Sequence, residues 1–209
     1  TNPIYTRQMA IDLGHTVISD TDLLLMPDDR LMMITRCSGG IGEGIYRGYS
    51  EFGNDWTQPL EQIFLSAGTS RNILSPALVY HSPTELRMYY INRNIDSAGN
   101  ELKYRVSADD GDTWGVEINA PTPSDVGSFW HTDVLKVGDE YHCLMTKETS
   151  DQNPSESYNG EVYHIKSDDG VTWVWGYGNI ERQAFNEQNG CYRSTFIAKT
   201  QNPLTFDLW

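Results

Sequence analysis

The chain has 209 residues, and its 15 Lys and Arg against 29 Asp and Glu give a formal net charge of −14. Hydrophobic residues make up 38% and aromatic residues 11%, which is enough apolar material for a buried core and excludes wholesale disorder. The acidic balance argues against a nucleic-acid-binding protein, because such proteins present a basic surface. No apolar run approaches the roughly 18 residues that a membrane-spanning helix needs.

In chain order, three segments repeat the same pattern of short apolar runs and turns. Each begins with two strand-length runs joined by turn residues, which predicts a β-hairpin. The paired runs are Asp22–Met26 with Leu31–Arg36, Ala77–Tyr80 with Leu86–Arg93, and Asp133–Val137 with Tyr141–Lys147. A third strand is predicted in each segment, at Gly44–Tyr49, Leu102–Val106 and Val162–Lys166.

A tryptophan-ended turn closes each repeat. Trp56, Trp114 and Trp173 are spaced by 58 and 59 residues. The last two follow the letters D-D-G-x-T-W, whereas the turn before Trp56 keeps only an acid and the glycine. We interpret the aspartate as an acceptor for the N–H groups of the turn, the glycine as a positive-φ position and the tryptophan as filler between neighbouring sheets. The turn is therefore a structural feature and not a catalytic one.

Four strands per repeat with little helix are typical of the blades of a β-propeller. We therefore expect an all-β chain of four-stranded antiparallel blades with Asp-containing turns, forming one domain or propeller fragment over residues 1–209. The units cover about 17–66, 73–121, 127–182 and, in part, 192–209. Three ways of completing the ring stay open: further sequence in a longer protein, which we favour, residues 1–20 closing the last blade, or assembly from several chains.

The turns resemble a known motif. The segment Ser107–Trp114 matches S-x-D-x-G-x-T-W, the Asp-box or bacterial neuraminidase repeat of sialidases and related propellers. Asp168–Trp173 matches when Lys166 is aligned with the leading serine. The resemblance covers roughly residues 17–199 and implies a sialidase-like Asp-box β-propeller. The motif also occurs in non-catalytic propellers, so it is informative about the fold and not about the chemistry.

A second resemblance is to the five-bladed furanosidase and arabinanase propellers. Asp20–Leu23 is similar to their N-terminal aspartate strand, and Phe129–Leu135 is similar to a later aspartate strand. The flanking Pro and Arg of that family's strand are absent here. The resemblance implies a later glutamate as the acid, for which the candidates are Glu148, Glu181 and Glu187.

The candidate site lies where the first strand of each blade begins, because these strands line the central channel of a propeller. Carboxylates bind sugar hydroxyls, aromatic rings stack on sugars, and two carboxylates can hydrolyse a glycosidic bond. The catalytic candidates are Asp20, Asp22 and Asp133. The substrate-binding candidates are Trp130, His131, Tyr192, Arg193, Arg36 and Arg93, and Ser75 enters the second blade at the same level. The sialidase resemblance implies an arginine clamp, for which Arg36, Arg93 and Arg193 are the candidates.

Three functions stay open: a glycoside hydrolase of sialidase-like or furanosidase-like type, a non-catalytic glycan-binding or attachment module such as an adhesin or phage receptor-binding component, and a structural propeller within an assembly. We expect a glycan or polysaccharide partner and an extracellular or surface-exposed location. The five histidines are scattered, so we expect neither a metal nor a cofactor. Cys37, Cys143 and Cys191 allow at most one disulfide and are interpreted as buried small hydrophobic residues.

Overall fold

A computed structural model describes residues 5–56, 59–66, 71–94, 99–124, 127–147, 161–180, 194–201 and 203–208. One short helix, α1 (Arg7–Asp12), precedes the strands. The first eight strands are β1 (Val17–Leu25), β2 (Leu31–Ser38), β3 (Glu43–Ser50), β4 (Glu61–Ser66), β5 (Arg71–Ser82), β6 (Glu85–Asn94), β7 (Glu101–Ser107) and β8 (Ile118–Asn119). The others are β9 (Phe129–Val137), β10 (Glu140–Lys147), β11 (Val162–Ser167), β12 (Val174–Ile180), β13 (Phe196–Gln201) and β14 (Leu204–Leu208).

The strands form three four-stranded antiparallel sheets and one hairpin. Their orders are β1-β2-β3-β4, β5-β6-β7-β8, β12-β11-β10-β9 and β13-β14. The first strands contact one another in chain order, β1 with β5, β5 with β9 and β9 with β13. Meandering sheets packed through their first strands are the blades of a β-propeller. The prediction of an all-β propeller with four-stranded antiparallel blades is confirmed.

The core lies in the spaces between neighbouring sheets, because alternate residues of each strand point to opposite faces. On β6, Met88 and Tyr90 face the first sheet, whereas Tyr89 and Ile91 face the third. The space between the first two sheets is filled by Met26, Met32, Ile34, Ile45, Ile73, Leu78, Leu86, Met88 and Tyr90. Leu144, Val162 and Phe196 fill the space between the third sheet and the β13–β14 hairpin.

The N-terminal segment packs on the first sheet. Tyr5 and Leu13, on either side of α1, contact a small cluster formed by Cys37, Tyr46 and Leu60. Among the described residues, β13 pairs only with β14.

The cysteines fit the interpretation as buried residues as far as they are described. Cys37 and Cys143 are buried free thiols. Burial raises the pKa of the Cys37 thiol to about 11, so it stays protonated at neutral pH. Cys191 lies outside the described residues.

The turn after β7 is closed by side-chain hydrogen bonds. The Ser107 hydroxyl donates to Asp109 Oδ1 at 2.7 Å and accepts the Gly111 N–H at 2.8 Å. Asp109 also accepts the N–H of Thr113 at 2.8 Å and its hydroxyl at 2.6 Å. These donors lower the pKa of Asp109 to about 2, the Thr113 hydroxyl being the largest contributor. The aspartate therefore holds the turn as an acceptor, as the sequence predicts.

The turn after β11 corrects the alignment of the motif. Ser167, not Lys166, takes the leading position, because its hydroxyl donates to Asp169 at 2.8 Å and accepts the Gly170 N–H at 2.9 Å. Asp169, not Asp168, accepts the N–H groups of the turn. Lys166 instead extends from β11 and donates to Glu140 at 2.6 Å. The turn is one residue shorter than that after β7 although the letters D-D-G-x-T-W are shared.

We expect Ser167→Ala to lower the free energy of unfolding by about 1–3 kcal/mol, because the buried Gly170 N–H loses its acceptor. Asp168→Asn is the matched control, because Asp168 is exposed and asparagine has nearly the same shape as aspartate. This variant should change the free energy of unfolding by no more than about 0.5 kcal/mol. Urea unfolding of both variants checks the assignment. A larger loss for Asp168→Asn than for Ser167→Ala would restore the alignment through Lys166.

Candidate functional site

Two inner strands begin with matched irregularities. A register shift interrupts β1 between Ser19 and Asp22, and another interrupts β5 between Leu74 and Ala77. Inside these bulges Asp20 has φ 52° and Ser75 has φ 48°, a left-handed conformation that L-residues rarely adopt. Such backbone strain persists where neighbouring groups hold it, and it is often found at functional sites.

Asp20 and Ser75 contact each other and His131 of β9. The Ser75 N–H donates to Asp20 Oδ2 at 3.3 Å. The Ser75 hydroxyl is hydrogen-bonded to His131 Nδ1, and the same nitrogen is 3.9 Å from Asp20 Oδ1. Ser75 and His131 are buried, and 7% of the Asp20 side chain is exposed. Three blades thus contribute one polar group each to a single cluster.

Arg36 brings a positive charge to this cluster. Its guanidinium is 3.9 Å from Asp20 Oδ2 and forms an ion pair with Glu43. Glu43 in turn accepts the Ile73 N–H at 3.0 Å, which links β3 to β5. Because the side chain of Arg36 is long, it reaches β1 from the second strand of its blade. The sequence analysis did not identify Glu43. Its place two residues before Ile45, which pairs with Arg36 across the strands, could have indicated an ion pair with Arg36.

Asp22 and Asp133 occupy the same position in their blades, opposite Ile34 and Leu144 of the second strand. Asp22 Oδ2 accepts the N–H of Leu78 at 2.7 Å. The Asp22 carboxylate therefore links β1 to β5, the first strand of the next blade.

The contacts of Asp133 follow the same plan. Its Oδ2 accepts the Phe196 N–H at 3.3 Å and the Thr195 hydroxyl at 2.6 Å, both beside or within β13. The corresponding residue of the second blade is Ala77, opposite Tyr89 on β6. There the contact between Ser75 and His131 joins the two blades instead.

Trp130 and Arg93 lie beside His131. The guanidinium carbon of Arg93 is 4.6 Å from the centre of the Trp130 ring, a cation–π contact. The Trp130 ring also meets the His131 ring edge-on, at 6.1 Å and 81°. Trp130 is half-buried, and this guanidinium covers part of its ring, which limits the ring surface that is left for stacking a sugar.

The remaining predicted residues divide by whether they are described. Tyr192 and Arg193 lie outside the described residues, as do Glu148, Glu181 and Glu187. Of the proposed arginine clamp, Arg36 is engaged with Glu43 and Arg93 with Trp130. Across the ranges that the structure describes, no group of three or more His, Cys, Asp or Glu side chains is arranged to hold a metal ion. The one helix among these ranges is too short to cross a membrane.

No protein-family model matches the sequence, and no curated protein matches it by sequence. Solved structures do match. The α-L-arabinanase of Penicillium chrysogenum with arabinobiose has 13% identity and a TM-score of 0.65, covering 91% of this chain and 58% of that one. The α-L-arabinofuranosidase of Fusarium graminearum with arabinobiose has 13% identity and a TM-score of 0.66, with the same coverages.

A third similar structure is a fructofuranosidase of Schwanniomyces occidentalis with fructosylnystose, at 14% identity and a TM-score of 0.65. The match covers 91% of this chain and 40% of the fructofuranosidase chain. The chain thus spans 58% of the length of the arabinanase and of the arabinofuranosidase. At these identities the likeness shows the fold, and it matches the furanosidase and arabinanase resemblance of the sequence.

Proposed function

We propose that the protein acts on carbohydrate as a glycoside hydrolase of the furanosidase-like type, with Asp20 as a reacting carboxylate. The observation that supports this most is the environment of Asp20. A strained backbone, the Ser75 N–H, the Arg36 guanidinium and the His131 ring surround one carboxylate at the start of an inner strand.

Two groups hold this carboxylate in place. The Ser75 N–H donates to Asp20 Oδ2, and the Arg36 guanidinium lies 3.9 Å from the same oxygen. A carboxylate of this kind serves as nucleophile in a retaining mechanism or as general base in an inverting one. Asp22 and Asp133 are the candidates for the second carboxylate, which protonates the leaving oxygen. A separation of about 5 Å between the two reacting carboxyl groups gives retention, and a larger one gives inversion.

The similar structures favour a furanoside substrate over a sialoside. They include an arabinanase and an arabinofuranosidase, each with arabinobiose, and a fructofuranosidase with fructosylnystose. A sialidase needs arginines that are available to clamp the carboxylate of the sugar. Arg36 is engaged with Glu43, which disfavours that reading.

A non-catalytic glycan-binding module is the second candidate. It is favoured by the hydrogen bonds of Asp22 and Asp133, each of which fastens one inner strand to the backbone of the next. If both carboxylates act only as acceptors between blades, neither of them is the acid, and only Glu148, Glu181 and Glu187, which lie outside the described residues, remain as candidates. The propeller then presents carboxylates and Trp130 as a binding surface for sugar hydroxyls and rings.

The test compares release with binding on the full chain. We expect it to release product from arabinan, 4-nitrophenyl α-L-arabinofuranoside or a fructo-oligosaccharide, measured by chromatography, and to leave sialyllactose intact. Calorimetric titration with the same glycans reports binding. Binding without release of any product identifies the module instead, and absence of both contradicts a carbohydrate function at this site.

A further inference from the structure

Two buried imidazoles lie between the third sheet and the β13–β14 hairpin. His142 of β10 and His164 of β11 are each 2% exposed, and their rings are nearly parallel, with centres 5.3 Å apart and an interplanar angle of 13°. Phe206 of β14 packs against both, with ring centres 4.9 Å from His142 and 6.1 Å from His164. The hairpin therefore docks directly on a titratable pair.

The hydrogen bonds assign one tautomer to each ring. The Tyr177 N–H donates to His164 Nδ1 at 3.0 Å, so this nitrogen carries a lone pair and the proton of the neutral ring is on Nε2. That Nε2–H points to His142 Nδ1 at 3.1 Å, which must then be the acceptor. The proton of His142 is accordingly on Nε2, 3.3 Å from Glu140 Oε1. The pair thus forms two hydrogen bonds in one direction when both rings are neutral, from Tyr177 N–H to His164 and from His164 to His142, and His142 Nε2 makes no hydrogen bond of its own.

An added proton breaks this chain wherever it enters. On His164 Nδ1 it meets the Tyr177 N–H, and on His142 Nδ1 it meets the His164 Nε2–H, so two donors face each other in either case. Space is also restricted, because a Cβ at Gly176 would lie 2.1 Å from His164 Nδ1. A charged ring must therefore move, and Phe206 is packed against it.

The charges around the pair provide little compensation. Glu140 faces His142, but it also accepts a hydrogen bond from Lys166 at 2.6 Å, which offsets its charge. Tyr177 of β12 contributes a ring 5.2 Å from His164. The charged groups of the hairpin, Lys199 and Asp207, pair with each other at 3.2 Å. No carboxylate in the described residues forms an ion pair with His164.

We propose that His142 and His164 form a pH-sensitive latch that docks the β13–β14 hairpin on the third sheet when both rings are neutral and releases it when either ring is protonated. Burial supports this, since it lowers the pKa of His142 and lowers that of His164 to about 4.

The latch regulates the candidate site, a consequence that rests on the proposed function. The segment that leads into the docked hairpin holds Asp133 through the Thr195 hydroxyl and the Phe196 N–H. When the hairpin leaves, Asp133 loses these two hydrogen bonds, and β13 no longer borders the site. Activity at this site should fall together with docking as the solution is acidified.

The direction of the pH dependence follows from linkage. An unfolded or undocked histidine has a pKa near 6.5, whereas His164 in the docked state has a pKa of about 4. Between these values the undocked state binds more protons, so docking weakens as the pH falls through this window and is unaffected above it. For one group with these two pKa values, the opening equilibrium should rise about 30-fold from pH 8 to pH 5.

Amide hydrogen exchange of the full chain, corrected for intrinsic rates, measures this opening. We expect the β13–β14 amides to open about 30-fold more at pH 5 than at pH 8, while the β2 and β3 amides change little. In the double variant His142→Asn and His164→Gln, the asparagine keeps an acceptor near the place of His142 Nδ1, and the glutamine keeps a donor near the place of His164 Nε2. Neither replacement can titrate. The hairpin of this variant should open equally at both pH values. His81→Gln, a half-buried histidine next to Tyr141 at another interface, is the matched control and should behave as wild type.

Two results would overturn the latch: a wild-type hairpin whose opening does not depend on pH, or a double variant that keeps the dependence. If the double variant fails to fold, titration of the wild-type imidazoles by NMR decides, because a pKa of 6.5 or higher for His164 contradicts the latch. None of these measurements needs a substrate. Failure of the proposed function therefore leaves the latch testable, and failure of the latch leaves the proposed function testable.

Discussion

Replacing Trp173 by alanine is expected to lower the free energy of unfolding by about 3–5 kcal/mol, the range for truncating a buried large aromatic. Trp173 is 3% exposed, and its ring meets Tyr89 edge-on at 5.9 Å and Tyr141 at 6.4 Å. Tyr89 belongs to the second sheet and Tyr141 to the third. The truncation therefore opens a cavity between two blades, where surrounding strands cannot collapse easily.

The other two turn tryptophans give an internal scale for this prediction. Trp114 is half-buried against the cluster between the first and second sheets, and Trp56 is half-buried near Tyr5 at 6.3 Å. Urea unfolding of the three alanine variants should place Trp173 first. A loss at Trp173 that is no larger than the loss at Trp56 would show that the indole does not hold the two blades together.

The hairpins at the centre of each blade were predictable because their apolar runs alternate and end at turn residues. The predicted run Leu31–Arg36 falls within β2, and the run Asp22–Met26 extends one residue beyond the end of β1 at Leu25. The fourth strands were harder to locate, since β8 is only Ile118–Asn119 and has no alternation to detect. Helix α1 is a single short segment, and its six residues carry too little periodicity for a confident assignment from the sequence.

The turns show where identical letters lead to different structures. Both contain D-D-G-x-T-W, yet Asp109 is the acceptor in one and Asp169 in the other. Both strands end at the serine of the turn, β7 at Ser107 and β11 at Ser167, but three residues separate this serine from the glycine in the first turn and two in the second. In both turns the acceptor is the aspartate two residues after the serine, so the position of the serine decides which aspartate is used.

The contact between Asp20, Ser75 and His131 could be anticipated from the sequence, whereas the different contacts of Asp20 and Asp22 could not. The three residues stand near the starts of successive first strands, and the structure brings them together. Asp20 and Asp22 differ because a bulge between them turns one toward His131 and the other toward the Leu78 N–H. Such a bulge is set by contacts between blades and leaves no mark in a period-two pattern.

The second large effect concerns catalysis. We expect Asp20→Asn to lower kcat/KM for glycan release by at least about 10²-fold, the lower end for losing a positioned catalytic carboxylate. Stability should change by less than about 1 kcal/mol, because asparagine keeps an oxygen for the Ser75 N–H and Arg36 keeps Glu43 as its partner. Glycan binding by calorimetry should persist, which separates a chemical defect from a folding defect.

Asp22→Asn and Asp133→Asn divide the remaining roles. Both variants keep an oxygen for the backbone donors Leu78 and Phe196, so a structural acceptor tolerates the change whereas a general acid does not. The variant that also loses about 10²-fold in kcat/KM identifies the second carboxylate. Asp168→Asn, exposed and outside the site, is the matched control and should retain full turnover. Full turnover in Asp20→Asn would remove Asp20 from the reaction, because no other change in that variant compensates for a missing negative charge.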